Sequence, residues 1–292
     1  MAATAPTHSA GHRYRAIKYT YDVASGSWEK EPIRVSFSRR AFQEGGMRLC
    51  FRACEYDKNG NFVECVAKVF KPELHAADHE YYDEAMTQMI AESHAQEFNR
   101  KSRTHKVALL PCNVLQIQDG RLGGSKLCAL EPYLPGDYVK HNDNAGAVET
   151  NEAVPQAFSH FTYENSNRLL VVCDIQGVGD FYTDPQIHFF DGEGFGSGNL
   201  GLDGLNRFLN SHACTSVCEE LRLPPLRPGE TDEQMARRLQ AEESKPPPSQ
   251  AATSHPEDGY SSSSSSDSSW RCMRRNAGSK NLEEAMRILR FQ

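Results

Sequence analysis

The stretch Val171-Val172-Cys173-Asp174-Ile175-Gln176-Gly177-Val178-Gly179-Asp180-Phe181-Tyr182-Thr183-Asp184-Pro185-Gln186-Ile187-His188 decides the reading of this chain. Its opening belongs to an apolar run, Leu169 to Cys173, short and continuous as a strand buried on both faces should be. That strand empties into a loop carrying three carboxylates and the amide of Gln176. Oxygen ligands of this kind suit Mg²⁺, which uses one or two protein carboxylates and leaves its other positions to water and phosphates. Loop carboxylates are also ordinary solvated groups. Gly177 and Gly179 weigh toward a ligand, because a residue without Cβ lets backbone come close to a bound group.

Two features follow downstream, the glycine-rich turn Gly196-Ser197-Gly198-Asn199-Leu200-Gly201 and the cluster His212-Ala213-Cys214-Thr215-Ser216-Val217-Cys218. The turn does not directly follow a strand, so it is not a dinucleotide-binding fingerprint. In the cluster, Cys214 and Cys218 are four apart and on a helix would share a face. Thiolates and imidazoles suit tetrahedral zinc, which needs four ligands, and only three stand here. Two buried thiols are the plain alternative. Taken together, the carboxylate loop and the cluster point to phosphoryl transfer on a zinc-braced domain.

With 292 residues the chain can hold one or two domains and a substantial core. Its net charge is −7 with both signs mixed along the sequence, so no nucleic-acid surface is expected. The longest purely apolar runs are about five residues, far short of the ~20 a membrane helix needs. Met1 to Gly11 shows no basic start followed by an apolar core, so no signal peptide is expected. Nine scattered cysteines fit a reducing cytoplasm better than a disulfide framework.

Ile33-Arg34-Val35-Ser36-Phe37 and Val66-Ala67-Lys68-Val69-Phe70 alternate like strands, and His79 to Arg100 is mostly helix-forming. From Pro155 the pattern is mixed, with a helix expected from Leu202 to Arg222. The expected architecture is α+β and two-lobed, with a cleft between the lobes. A flexible N-terminus spans 1–11, the N-lobe about 12–130 and the C-lobe about 131–224. After Pro224, Pro-Pro and Pro-Gly pairs, Pro246-Pro247-Pro248 and Ser261 to Ser266 imply a disordered linker over 225–280. Within it Thr231 and Gln234 make a capping box, and Asn281 with Glu284 opens a short terminal helix over 281–292.

On spacing, Lys68 either snorkels to solvent or points into a cleft at an anion. Gly45-Gly46-Met47-Arg48 is either a plain turn or a place where backbone nears phosphates, with Arg48 supplying a cation. Leu130-Glu131-Pro132-Tyr133-Leu134 fits a strand leaving the first lobe, and Pro132 removes one backbone donor.

Gln156-Ala157-Phe158-Ser159-His160-Phe161-Thr162, Asp174 to Asp180, Tyr182 to His188, Gly198-Asn199-Leu200-Gly201 and Ser211-His212-Ala213-Cys214 follow one known pattern in order. The chain resembles the α-kinases, atypical protein kinases, over about His12 to Pro224, and among them most closely those acting on elongation factor 2. The resemblance implies transfer of the ATP γ-phosphate to serine or threonine hydroxyls of a protein. It implies that Lys68 and Arg48 meet the ATP phosphates and that Glu131 sits at the adenine-binding hinge. It implies further that Asp174 faces the acceptor hydroxyl and that Gln176 and Asp184 hold Mg²⁺. The loop of Gly196, Gly198 and Gly201 would lie by the cleft and serve substrate binding. His160 would be the fourth zinc ligand beside His212, Cys214 and Cys218, completing one structural site, while His188 is expected to be a satisfied histidine and no ligand. The family's usual glycine, spacer, glycine, Ala-Met-Arg is replaced here by Glu44-Gly45-Gly46-Met47-Arg48. His-Arg-Asp and Asp-Phe-Gly signatures are missing, so a conventional protein kinase is excluded. The alternatives are an α-kinase acting on a helical protein such as a myosin tail, or a non-catalytic pseudokinase module. The few residues before the match carry no basic amphipathic helix, so calmodulin control is not expected from the visible N-terminus.

Overall fold

A computed structural model describes residues 12–226, which fall within one compact unit. The expected flexible segment 1–11, the linker beyond Leu226 and the terminal helix 281–292 lie outside the described residues.

The first part is a sheet built by β1 (Arg13–Asp22), β2 (Ser27–Phe37), β3 (Gln43–Glu44), β4 (Arg48–Tyr56) and β5 (Phe62–Phe70). After α1 (Asp78–Lys101) and a short β6 (Ala108–Leu109), β7 (Asn113–Ile117) and β8 (Leu127–Pro132) complete it. Strand order is β2-β1-β7-β8-β5-β4-β3, and β2 also pairs with β4 from Arg34 opposite Tyr56 to Phe37 opposite Ala53. Six strands therefore close into a ring, which removes free edges. Ala16, Ala53 and Ala67 alternate with Phe51, Leu115 and Ile117 inside it, small against large as a tight ring requires.

Pleating then decides where Lys68 goes. Cys65, Ala67 and Val69 of β5 fill the ring interior, so Lys68 and Phe70 face outward, where Phe70 packs with Tyr81 and Ala85 of α1. Glu80 reaches back 2.7 Å to the Ala77 N–H at the start of α1, and Arg100 and Lys101 end it. Both match the helix dipole. α1 buries Ile90, Ala95 and Phe98, but also Thr87, Gln88 and His94.

The second part contains β9 (Val139–Lys140), α2 (Ala153–Asn165), β10 (Leu170–Cys173), β11 (Gln176–Val178), β12 (Phe181–Thr183) and β13 (Gln186–Phe189), then α3 (Gly201–Ser211) and α4 (Ser216–Glu220). β10 pairs with β13, and β6-β12-β11-β9 form a small sheet. Phe98 meets the edges of Phe158 and Phe161 at 5.8 and 5.4 Å, joining α1 to α2. Val171, Cys173, Leu205, Phe208 and Leu209 form a second core.

The apolar run at 169–173 is the buried strand β10, and the alternating segments at 33–37 and 66–70 are strands. The single helix expected from Leu202 to Arg222 is instead two, α3 and α4, separated by a break at 212–215. Thr215 caps α4, its hydroxyl accepting from the Cys218 N–H. Cys214 thus precedes the helix that carries Cys218, and the two do not share a helical face. Among the described residues no helix is long and apolar enough to cross a membrane.

Candidate active site

Lys68 is almost completely buried and its ammonium is surrounded. Nζ lies 2.7 Å from Asp184 Oδ2, 2.8 Å from Glu131 Oε2 and 3.1 Å from the Thr183 hydroxyl. Thr183 in turn donates to Glu131 Oε2 at 2.6 Å. Burial opposes the ammonium, yet the carboxylates of Asp184 and Glu131 outweigh it and hold Lys68 above the ordinary lysine value. At Asp184 burial is likewise outweighed, by Lys68 and then Arg48, so the carboxyl sits below its ordinary value. The snorkelling alternative for Lys68 is therefore closed. Glu131 Oε1 is buried with no hydrogen-bond partner.

Arg48 pairs with Glu84 of α1, lies 3.9 Å from Asp184 Oδ1 and stacks over the Phe70 ring. Gly45 and Gly46 make the β3–β4 hairpin turn, where Gly45 N–H donates to the Arg48 carbonyl at 2.8 Å.

Asp174 follows β10 directly and Asp184 stands between β12 and β13. Both adopt left-handed backbone, with φ of 58° and 52°. Such a conformation costs a non-glycine residue roughly 1 kcal/mol or more and is concentrated at functional sites. Hydrogen bonds hold both turns in place. Asp184 N–H donates to Gln88 Oε1 at 2.9 Å, Asp174 N–H to the Asp143 carbonyl at 3.2 Å, and Ile175 N–H to Asn142 Oδ1 at 2.8 Å. Gly177 is obligatory for a different reason, since a Cβ there would overlap the Phe181 carbonyl across the β11–β12 hairpin.

The Asp174 carboxylate is gripped from both sides. Lys140 Nζ lies 2.6 Å from Oδ1, and Gln176 Nε2 donates to Oδ2 at 3.0 Å. Lys140 and Gln176 reach it together because they are directly paired on β9 and β11. Burial lifts the Asp174 pKa above the ordinary value, against the pull of Lys140.

Beside Asp174 lies a cavity of about 310 Å³. Met47, Glu84 and Thr87 line it from the first part, Asn144 and Gln186 from the second, and Gly196 to Gly198 close it. Asn199 shapes that loop. Its Oδ1 accepts from the N–H groups of Phe189 and Gly201, and its Nδ2 donates to the carbonyls of Glu193 and Gly194. Gly196 and Gly201 take φ of 74° and 60°, and Gly198 leaves no room for a Cβ against Gln186.

His160, His212, Cys214 and Cys218 converge, with one ligand atom from each lying within 4.8 Å of the others. Cys214 Sγ is 3.8 Å from His160 Nδ1, and Cys218 Sγ is 3.7 Å from His212 Nε2. Tetrahedral zinc with Zn–S of about 2.3 Å and Zn–N of about 2.0 Å sets sulfur and nitrogen roughly 3.5 Å apart, so the donors fit the ion. His160 Nε2 donates to the Pro224 carbonyl at 3.1 Å, which leaves Nδ1 with its lone pair toward the cluster. Burial pushes both histidines down to about 4, the neutral state a metal ligand needs.

The residues expected from the sequence thus fall into two groups: Lys68, Arg48, Glu131, Asp174, Gln176 and Asp184 around one cleft, and the four His/Cys ligands together behind α2. Lys140, Thr183, Glu84 and Gln88 were not singled out. A lysine in a two-residue strand carries no pattern of its own, and Glu84 and Gln88 show in the sequence only as polar residues of a helix. Asn199 was visible only as one letter of a motif.

Similar proteins share the region that builds these sites. Residues 43–218 match the Alpha-kinase family. Myosin heavy chain kinase B of Dictyostelium discoideum is 40% identical over 217 residues, covering 73% of this chain and 29% of its own length. Eukaryotic elongation factor 2 kinase of Homo sapiens is 38% identical over 229 residues, covering 75% and 31%. The chain therefore spans under a third of these curated relatives. A crystal structure of the α-kinase domain of myosin-II heavy chain kinase A in complex with AMP-PNP superposes with a TM-score of 0.70 at 33% identity, over 75% of this chain and 99% of that one. The C-terminally truncated α-kinase domain of myosin heavy chain kinase gives 0.69 at 34% identity, over 74% and 100%.

Proposed function

Because this chain belongs to the α-kinase family, we propose that it transfers the γ-phosphate of ATP to a serine or threonine hydroxyl of a protein substrate. The observation that carries this reading is the Lys68 knot. A protonated lysine is held in the cleft by Asp184, Glu131 and Thr183, with Arg48 beside it. Phosphoryl transfer needs positioning and charge neutralisation more than covalent chemistry, and such cations supply both. Lys68 and Arg48 meet the phosphates. Glu131, with Oε1 unpartnered, accepts from the adenine amino group, a lost hydrogen bond being costly at a buried carboxylate.

Gln176 and Asp184 are the Mg²⁺ ligands. Gln176 spends its amide nitrogen on Asp174, which leaves its carbonyl oxygen as the metal donor. Bound there, Mg²⁺ neutralises phosphate charge. Asp174 orients the acceptor hydroxyl beside the cavity, and its raised pKa suits a group that shares a proton with that hydroxyl. The loop of Gly196, Gly198 and Gly201 forms the substrate-side wall. One zinc on His160, His212, Cys214 and Cys218 ties α2 to α4 and to the segment just before it. Four ligands leave no place for catalytic water, so its role is structural.

Elongation factor 2 and myosin tails are the first substrates to test, since relatives acting on each are comparably similar. The scattered cysteines support a cytoplasmic setting. Phosphotransfer from labelled ATP to purified elongation factor 2 and to a myosin tail, read by mass spectrometry, tests the proposal. Phosphate on either protein, or on the chain itself, supports it. Folded protein that binds Mg²⁺-ATP and transfers nothing is a pseudokinase.

A further inference from the structure

His188 of β13 is fully buried and belongs to neither the cleft nor the metal cluster. Its two ring nitrogens make different bonds. Nε2 donates to the Asn144 carbonyl at 2.5 Å, and Nδ1 accepts from the Leu200 N–H at 3.1 Å. Both bonds are satisfied together only by the neutral Nε2–H tautomer. α3 is packed flat on the ring, because a Cβ on Gly204 would overlap His188 Cγ.

The partners of His188 lead to the cavity beside Asp174. Asn144 lines that cavity and donates from Nδ2 to the Gly198 carbonyl at 3.2 Å. Its neighbour Asp143 accepts from the Asp174 N–H. Leu200 is the N-cap of α3, just before Gly201, the loop's last glycine and the helix's first residue. One imidazole thus bolts the loop's trailing end to the segment that supports Asp174. Glycines adopt many backbone conformations, so a loop containing Gly196, Gly198 and Gly201 holds one shape only where something fixes it.

We propose that His188 is a positioning residue for the acceptor. It sets the distance between the glycine-rich loop and Asp174, and so the shape of the cavity that receives the substrate's hydroxyl-bearing segment. This rests on the kinase reading above. The nucleotide side does not depend on it, since no bond of the Lys68 knot passes through His188.

The test compares H188N, H188Q and G204A in steady-state transfer from Mg²⁺-ATP to a peptide substrate of the wild-type chain. The Asn side chain places an acceptor near Nδ1 and keeps the bond from Leu200, whereas Gln places a donor near Nε2 and keeps only the bond to Asn144. H188Q is expected to raise the KM for peptide about tenfold, the size of one lost buried hydrogen bond, with the KM for ATP within about twofold of wild type. H188N, which gives up the bond to Asn144 instead, should raise the peptide KM by a similar factor. G204A leaves His188 in place but lifts α3 from it, and should raise the peptide KM alone. If H188Q is insoluble, H188N and G204A decide the matter. Equal KM changes for peptide and ATP, or unchanged peptide KM in G204A, would show a merely structural histidine. A wild-type chain that phosphorylates nothing would sink the kinase reading itself, a result distinct from either.

Discussion

Lys68 Nζ and Asp184 Oδ2 lie 2.7 Å apart although 116 positions of chain separate them. β5 delivers the ammonium and the turn between β12 and β13 delivers the carboxylate, so the ion pair joins the two parts of the fold at the cleft. Glu131 adds a second carboxylate, and the Thr183 hydroxyl bridges the two residues. A site of this kind is a charge balance as much as a binding surface.

Lys68→Ala is therefore expected to do two things. Phosphate transfer should be lost, and stability should fall by about 3–5 kcal/mol, because the buried Glu131 carboxylate is left without its cation and the partly exposed Asp184 keeps only the more distant Arg48. Adding Glu131→Gln to the Ala variant should restore part of the stability and none of the activity. Urea denaturation of the single and double variants checks this. A Lys68→Ala protein as stable as wild type would mean that the knot is hydrated and weak.

Asp174 behaves oppositely. Its folded pKa is raised, chiefly by burial, so the folded state keeps its proton longer than the unfolded chain does. Stability then falls as pH rises from the unfolded carboxyl value, near 4, through the folded one, and the full penalty is present above it. Asp174→Asn removes that penalty. The inactive variant should melt above wild type at pH 7, and the gap should close as pH drops below about 4. Thermal melts across pH 3.5 to 8 measure it, and a gap that widens toward low pH contradicts the argument.

Mg²⁺ dependence separates Gln176 from Asp174. Gln176→Ala removes one neutral oxygen ligand, and the Mg²⁺ concentration for half-maximal activity should rise about tenfold, a loss of roughly 1.4 kcal/mol. Asp184→Asn should shift it further, since a charge goes too. If titrations of both variants overlay wild type, Gln176 and Asp184 are not the metal ligands.

The sequence is most legible where residues close in the chain are also close in space. The strand ending at Cys173, the carboxylate turn behind it and the pair Cys214/Cys218 are of this kind. Lys140 is not. It reaches Asp174 only because β9, two residues long, pairs with β11, and a two-residue strand has no period to read. Gln88 and Thr87 are hidden differently, as polar residues on the buried face of α1, where the amphipathic pattern says they should not be. Their placement serves the site, Gln88 holding the Asp184 backbone, so the break in the pattern is itself a functional mark. The closure of the ring by β2 and β4 is a long-range pairing that strand propensity does not specify. The break between α3 and α4 was missed because Leu205, Phe208, Leu209 and Val217 continue the helical spacing across it. The Thr215 cap and the convergence of His212 and Cys214 on His160 override that spacing at 212–215.

The metal cluster gives the last prediction. His160 comes from the middle of α2 and is fully buried, whereas Cys214 is exposed, so the cluster is closed on the core side and open on the other. Elemental analysis of pure protein should give near one zinc per chain. A strong chelator should reach the ion past Cys214 and lower the melting temperature, because unmetallated thiols and imidazoles contribute little to holding α2 and α4 together. Cys218→Ser, at a buried position, should cost more stability than Cys214→Ser, whose place water can take. His160→Ala should cost most, since it also removes the bond to the Pro224 carbonyl and leaves a cavity behind α2. Asp174→Asn should keep its full zinc content, which separates the structural centre from the catalytic one. Metal-free protein with undiminished stability and activity would make the four residues a packed thiol–imidazole cluster and remove zinc from the fold.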